Sequence, residues 1–118
     1  MDVVAFADAE TRWRFPVAVM ELENSQDTDK FAYSLWKVMC VRAALRVVFC
    51  HRRGPGEGPV LVRFLRDEVV RAMSLMDRAE LGGEVLLVVG SRAESASFPY
   101  GFFKWWRLEH NTGSFESV

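Results

Sequence analysis

The stretch "VAVMELENS" (residues 17–25) decides how the chain is read. Taken as a strand, Val17, Val19, Glu21 and Glu23 fall on one face and Ala18, Met20 and Leu22 on the other. Two carboxylates at i and i+2 then lie roughly 6.5–7 Å apart along the backbone and repel each other. An apolar strand ending in such a pair needs partners or water for both acids. A hard divalent cation removes the conflict. Mg²⁺ (or Mn²⁺) takes oxygen ligands, commonly one or two carboxylates, with waters and substrate phosphate completing the shell. Glu21, the Leu22 carbonyl and one further acid would form part of that shell. Asp2 is the expected third group, because it opens the strand that pairs antiparallel with the one carrying Glu21. Asp8 is second choice, since it falls at the far end of the same hairpin.

Working outward, "DVVAF" (2–6) is the partner strand, "ADAETR" (7–12) the turn and "RFPVAVMELE" (14–23) the return. "NSQDTD" supplies helix-capping residues, and "KFAYSLWKVMCVRAA" (30–44) has helical periodicity. Phe31, Leu35, Trp36, Val38 and Met39 are assigned to its apolar side and Lys30, Tyr33, Ser34 and Lys37 to its polar side. "LRVVFC" (45–50) and "EVLLVVG" (84–90) are nearly continuous apolar runs, the pattern of central strands covered on both faces. Between them one amphipathic helix is expected over 60–80, opened by Pro59 and closed at Gly82–Gly83. "YGFFKWWRLEH" (100–110) is a last strand, with a frayed polar tail after it. In "FFKWW", Phe102, Lys104 and Trp106 share one face and Phe103 and Trp105 the other, which points to burial in the core or at a homodimer contact. The order strand, strand, helix, strand, helix, strand, strand implies an α/β fold built on a mixed sheet flanked by helices.

A chain of 118 residues that is half apolar fits a single domain spanning 1–118. Its formal charge of −1 means that any nucleic-acid contact must come from a local patch. Arg42, Arg46, His51, Arg52 and Arg53, around the strand at 45–50, are the candidate patch for phosphate contacts. Cys40 and Cys50 lie in apolar runs without metal-ligand spacing and read as buried reduced thiols of a cytoplasmic protein. No stretch has the apolar length of a membrane span or the pattern of an export signal. His51 and His110 lack zinc spacing, and the glycines of "RRGPGEGP" (52–59) lack the ending of a phosphate loop.

Asp2 followed by "VVAF", a return strand ending "VMELE", then a helix and a parallel-type strand, resembles the PD-(D/E)xK nuclease superfamily, with its restriction-endonuclease-like fold. In that family an Asp opens one strand of a hairpin, and the next strand carries Glu or Asp, any residue, and usually Lys. Here Glu23 replaces the lysine, giving E-x-E, a variant found in some restriction enzymes. Other members move the lysine to the following helix, where Lys30 or Lys37 would stand. The resemblance implies metal held by Asp2 and Glu21, with Glu23 accepting a proton from water or holding a second metal. It implies Lys37 holding that water or neutralising charge on phosphate, with Tyr33 one turn away on the same phosphate. The implied activity is hydrolysis of phosphodiester bonds, in DNA first of all. The family's usual helix and strand before the Asp have no counterpart here, so trimming, a fragment, or supply by a homodimer or larger complex are the expectations. A catalytically inactive subunit that binds nucleic acid or serves assembly is the alternative of a different class.

Overall fold

The computed structural model describes residues 1–8 and 13–118. Six strands form one sheet in the order β1-β2-β3-β4-β5-β6: β1 (Val3–Ala5), β2 (Ala18–Leu22), β3 (Leu45–Arg52), β4 (Glu84–Ser91), β5 (Phe103–Glu109) and β6 (Ser114–Ser117). β1 runs antiparallel to β2; β2, β3 and β4 are parallel; β5 and β6 return antiparallel. The sheet is mixed and the class is α/β, as the sequence implies. The hairpin turn expected over 7–12 falls largely on residues 9–12, outside the described residues.

Helix α1 (Thr28–Met39) connects β2 to β3, with the Asp27 carboxylate accepting from the Asp29 amide at its start. Its apolar stripe is Phe31, Leu35 and Val38, all fully buried. Two assignments on this helix change places. Ser34 is buried, whereas Trp36 is 54% exposed. At about 100° per residue, Ser34 lies ~60° from Phe31 and Trp36 ~140° from it, so the wheel favours the small polar residue for the interior.

The helix expected over 60–80 is broken in two. α2 (Glu57–Glu68) ends before a single 3₁₀ turn (Val70–Ala72), and α3 (Leu75–Glu80) follows. Met73 is extended, and the Ser74 hydroxyl accepts from the Asp77 amide as a fresh N-cap. The tail expected to fray forms β6 instead. Gly113, at φ +72, turns the chain there, and Phe115 packs against the core. Gly83, at φ +80, turns the chain into β4, where a Cβ would meet the Ala43 and Ala44 carbonyls.

α1 packs on β2 and β3, while α2 packs on α1, β4 and β6, so both long helices share one face of the sheet. That face contributes Val19, Val48, Cys50, Val85, Leu87, Val89 and Leu108 to the core. The register places Met20, Leu22, Val47, Phe49, Leu86, Val88 and Trp105 on the other face. Among the described residues no helix packs across it; Leu22 is 48% and Trp105 41% exposed. Val47 and Val88 are buried there all the same. The run of apolar residues in β3 and β4 therefore does not report helices on both sides.

Candidate active site

The hairpin register brings Val3 opposite Met20, one step short of placing Asp2 across from Glu21. Asp2 Oδ2 accepts the Leu22 amide at 2.7 Å, which anchors it at the end of β2. Glu21 points to the helical face and is only 4% exposed. A buried carboxylate needs a counter-charge, and α1 provides it: Lys37 Nζ lies 2.7 Å from Glu21 Oε1. The Met1 amino nitrogen is 3.8 Å from the same oxygen. At 2.7 Å the Lys37 ammonium is both the counter-charge and the hydrogen-bond donor of Glu21.

Around this pair the electrostatics are consistent. The Leu22 amide, then the neighbouring Glu21 carboxyl, hold the Asp2 carboxyl below its ordinary value of 3.8. Glu21 raises the Lys37 ammonium above its ordinary 10.5. A depressed acid stabilises the fold above its ordinary pKa and loses that contribution as pH falls. The raised lysine stabilises it below 10.5 and loses its share as pH climbs past that value. Thermal unfolding followed against pH is expected to show Asp2→Asn with a flatter decline below pH 3.8 than the parent. An unchanged acid limb would mean that Asp2 is not held as described.

Glu23 faces the same helix but is committed to local structure: its oxygens accept the Ser25 amide at 3.0 Å and the Ser34 hydroxyl at 3.4 Å. The buried Ser34 was not visible as a partner in the sequence, although its place one turn before Lys37, i to i+3, is a usable signal. Of the two candidate lysines, Lys37 reaches the acids. Lys30 lies about 10 Å further along the helix and is exposed, with no ion pair among the described residues. Tyr33 lies beside Lys37, whose Nζ is 5.1 Å from the ring centroid. Asp8 is exposed beyond the end of β1.

The expected arginine patch does not form one surface. Arg46 and Arg52 are roughly 20 Å apart along β3 and both serve the fold. Arg46 is 3% exposed and donates to the Val41 carbonyl at 2.9 Å and the Gly82 carbonyl at 2.6 Å. A side chain so enclosed does not reach a phosphate backbone. Arg52 lies over the Phe31 ring and donates to Gln26. Arg42 stays exposed and stacks on Phe15; Arg53 is exposed, its carbonyl accepting the Ala93 amide. Burial and the nearby Arg92 lower the His51 pKa, so His51 adds no charge at neutral pH. Cys50 is buried, its thiol pushed up to about 12, while Cys40 is exposed at the end of α1, contrary to expectation.

For a divalent cation, the fitting feature is the pair of adjacent carboxylates of Asp2 and Glu21. Among the described residues no three His, Cys, Asp or Glu side chains converge, so the protein would supply a partial shell only. No helix among the described residues is long and apolar enough to cross a membrane. Compared with known protein families, curated proteins and solved structures, the chain matches none of them.

Proposed function

We propose that this domain is a metal-dependent nuclease of the PD-(D/E)xK type that hydrolyses phosphodiester bonds, with DNA as the first expected substrate. The observation that carries this reading is the meeting of Asp2, the buried Glu21 and Lys37 at the end of β2. Those three groups come from a strand, its antiparallel partner and the helix that follows. The same order of elements supports the migrated-lysine form of the motif, with Lys37 in place of the missing E-x-K lysine.

Asp2 and Glu21 would hold Mg²⁺ or Mn²⁺, which supplies Lewis acidity toward phosphate and lowers the pKa of bound water. Lys37 neutralises charge that develops on the phosphoryl oxygens. In doing so it exchanges the Glu21 carboxylate for the substrate, which keeps its ammonium charged and in place. Tyr33, stacked beside that ammonium, restricts where it can swing. Glu23 acts through the Ser34 hydroxyl, fixing the turn of α1 that precedes Lys37.

A second reading, a subunit that binds nucleic acid or serves assembly without cleaving, is favoured by one observation. Both Glu23 oxygens are already taken by Ser25 and Ser34, leaving two acids for the metal. One assay separates the two. Supercoiled and linear DNA are incubated with the protein in Mg²⁺ or Mn²⁺, beside Glu21→Ala and Glu23→Ala. Nicking by the parent that Glu21→Ala abolishes supports the nuclease. Retarded DNA without nicking favours the subunit. Neither binding nor nicking removes both readings.

A further inference from the structure

Two large aromatic side chains stand on the outer side of α1 with no covering layer among the described residues. Tyr33 is 57% and Trp36 54% exposed. Their rings stack on each other, 5.9 Å between centroids and 29° between planes. Neither is needed for the core, whose stripe on this helix is Phe31, Leu35 and Val38. Lys37, which contacts Tyr33, is also the residue that reaches Glu21. The aromatic pair therefore borders the candidate site directly.

A second aromatic–cation contact lies past the C-terminal end of the helix. Beyond the end of α1, the Arg42 guanidinium lies 5.8 Å from the ring centroid of Phe15, itself 71% exposed. At ~1.5 Å rise per residue, Tyr33 stands about 9 Å from the end of α1 at Met39, and Arg42 follows three residues beyond that end. Lys37 and Arg42 lie on this stretch, and the acids of the helix, Asp27 and Asp29, are confined to its start. Aromatic faces interleaved with cations match a polyanion whose bases are free to stack. A duplex keeps its bases stacked inside and cannot use the rings.

We propose that Tyr33 and Trp36 form a stacking platform for unpaired bases, so that the domain takes single-stranded nucleic acid along α1 toward Phe15 and Arg42. This rests on the nuclease reading for its placement beside Asp2 and Glu21, but binding can be tested apart from cleavage. The test measures fluorescence anisotropy of a short labelled oligonucleotide in EDTA, as a single strand and annealed to its complement. The single strand is expected to bind about tenfold tighter than the duplex. Trp36→Ala is expected to weaken single-strand binding about tenfold, ~1.4 kcal/mol, within the range for loss of one stacked base. Trp36→Phe, which keeps an aromatic face, is expected to retain most of the affinity. Trp36 is exposed, so each variant should keep the parent's circular dichroism. Equal affinity for duplex, no binding of single strand, or no effect of Trp36→Ala overturns the platform. Cleavage without any effect of Trp36→Ala removes the platform and leaves the nuclease. Binding that depends on Trp36 without cleavage in Mg²⁺ or Mn²⁺ does the reverse.

Discussion

Replacing Lys37 with alanine is expected to slow phosphodiester cleavage by about 10²–10³-fold, the usual cost of losing one group that stabilises charge in the transition state. The expectation follows from the proposed nuclease activity and from the 2.7 Å approach of Lys37 to Glu21. The change also leaves a buried carboxylate without its partner, so some loss of stability accompanies it. Because the lysine side chain is 33% exposed, that loss is expected to be modest. Lys37→Arg separates the two effects. It restores the counter-charge and with it the stability, but its planar fork does not reproduce a compact ammonium at the phosphate. Single-turnover cleavage and urea unfolding of the same preparations give both readouts. A Lys37→Ala protein that cleaves at the parent's rate would remove the lysine from the mechanism.

Replacing Arg46 with alanine is expected to cost about 3 kcal/mol of folding stability. Its guanidinium joins the Val41 carbonyl, just past α1, to the Gly82 carbonyl, just past α3. Both carbonyls belong to the turns that follow the helices, and one buried cation satisfies the two acceptors. Alanine leaves those carbonyls without their donor and enlarges the pocket that Arg46 lines together with Ala43 and Gly82. Lysine can reach one carbonyl but not both, and should recover less than half of the loss. Urea denaturation measures the difference. Unchanged stability combined with weaker DNA binding would return Arg46 to the role first suggested by its neighbours in the sequence.

That reversal shows where the sequence stops being informative. The pairing of Asp2 with the end of β2 could be read, because a hairpin with one polar corner has few other registers. Lys37 could be read as one of two candidates, and only the position of Glu21 along α1 chooses between them. Arg46 could not be assigned. Its partners are main-chain carbonyls 5 and 36 residues away, and carbonyls leave no mark in a sequence. The exchange of Ser34 and Trp36 was legible by angle but lost to hydrophobicity, which ranks tryptophan as interior by default. β6 was hidden for a similar reason: four residues with one aromatic anchor, Phe115, look like a tail until β5 offers an edge. The two helices expected to enclose the sheet could not be placed on a side by periodicity, since both crossovers follow the same hand.

The side of the sheet on which no helix packs among the described residues bears on how the protein will behave in the hand. Dyes such as ANS brighten on accessible apolar surface, and that response is commonly taken as the sign of a molten, partly folded preparation. Here a native, cooperatively unfolding sample would brighten the dye as well, through Leu22 and Trp105. Strong salting-out by sulfate and late elution from a phenyl column would accompany it.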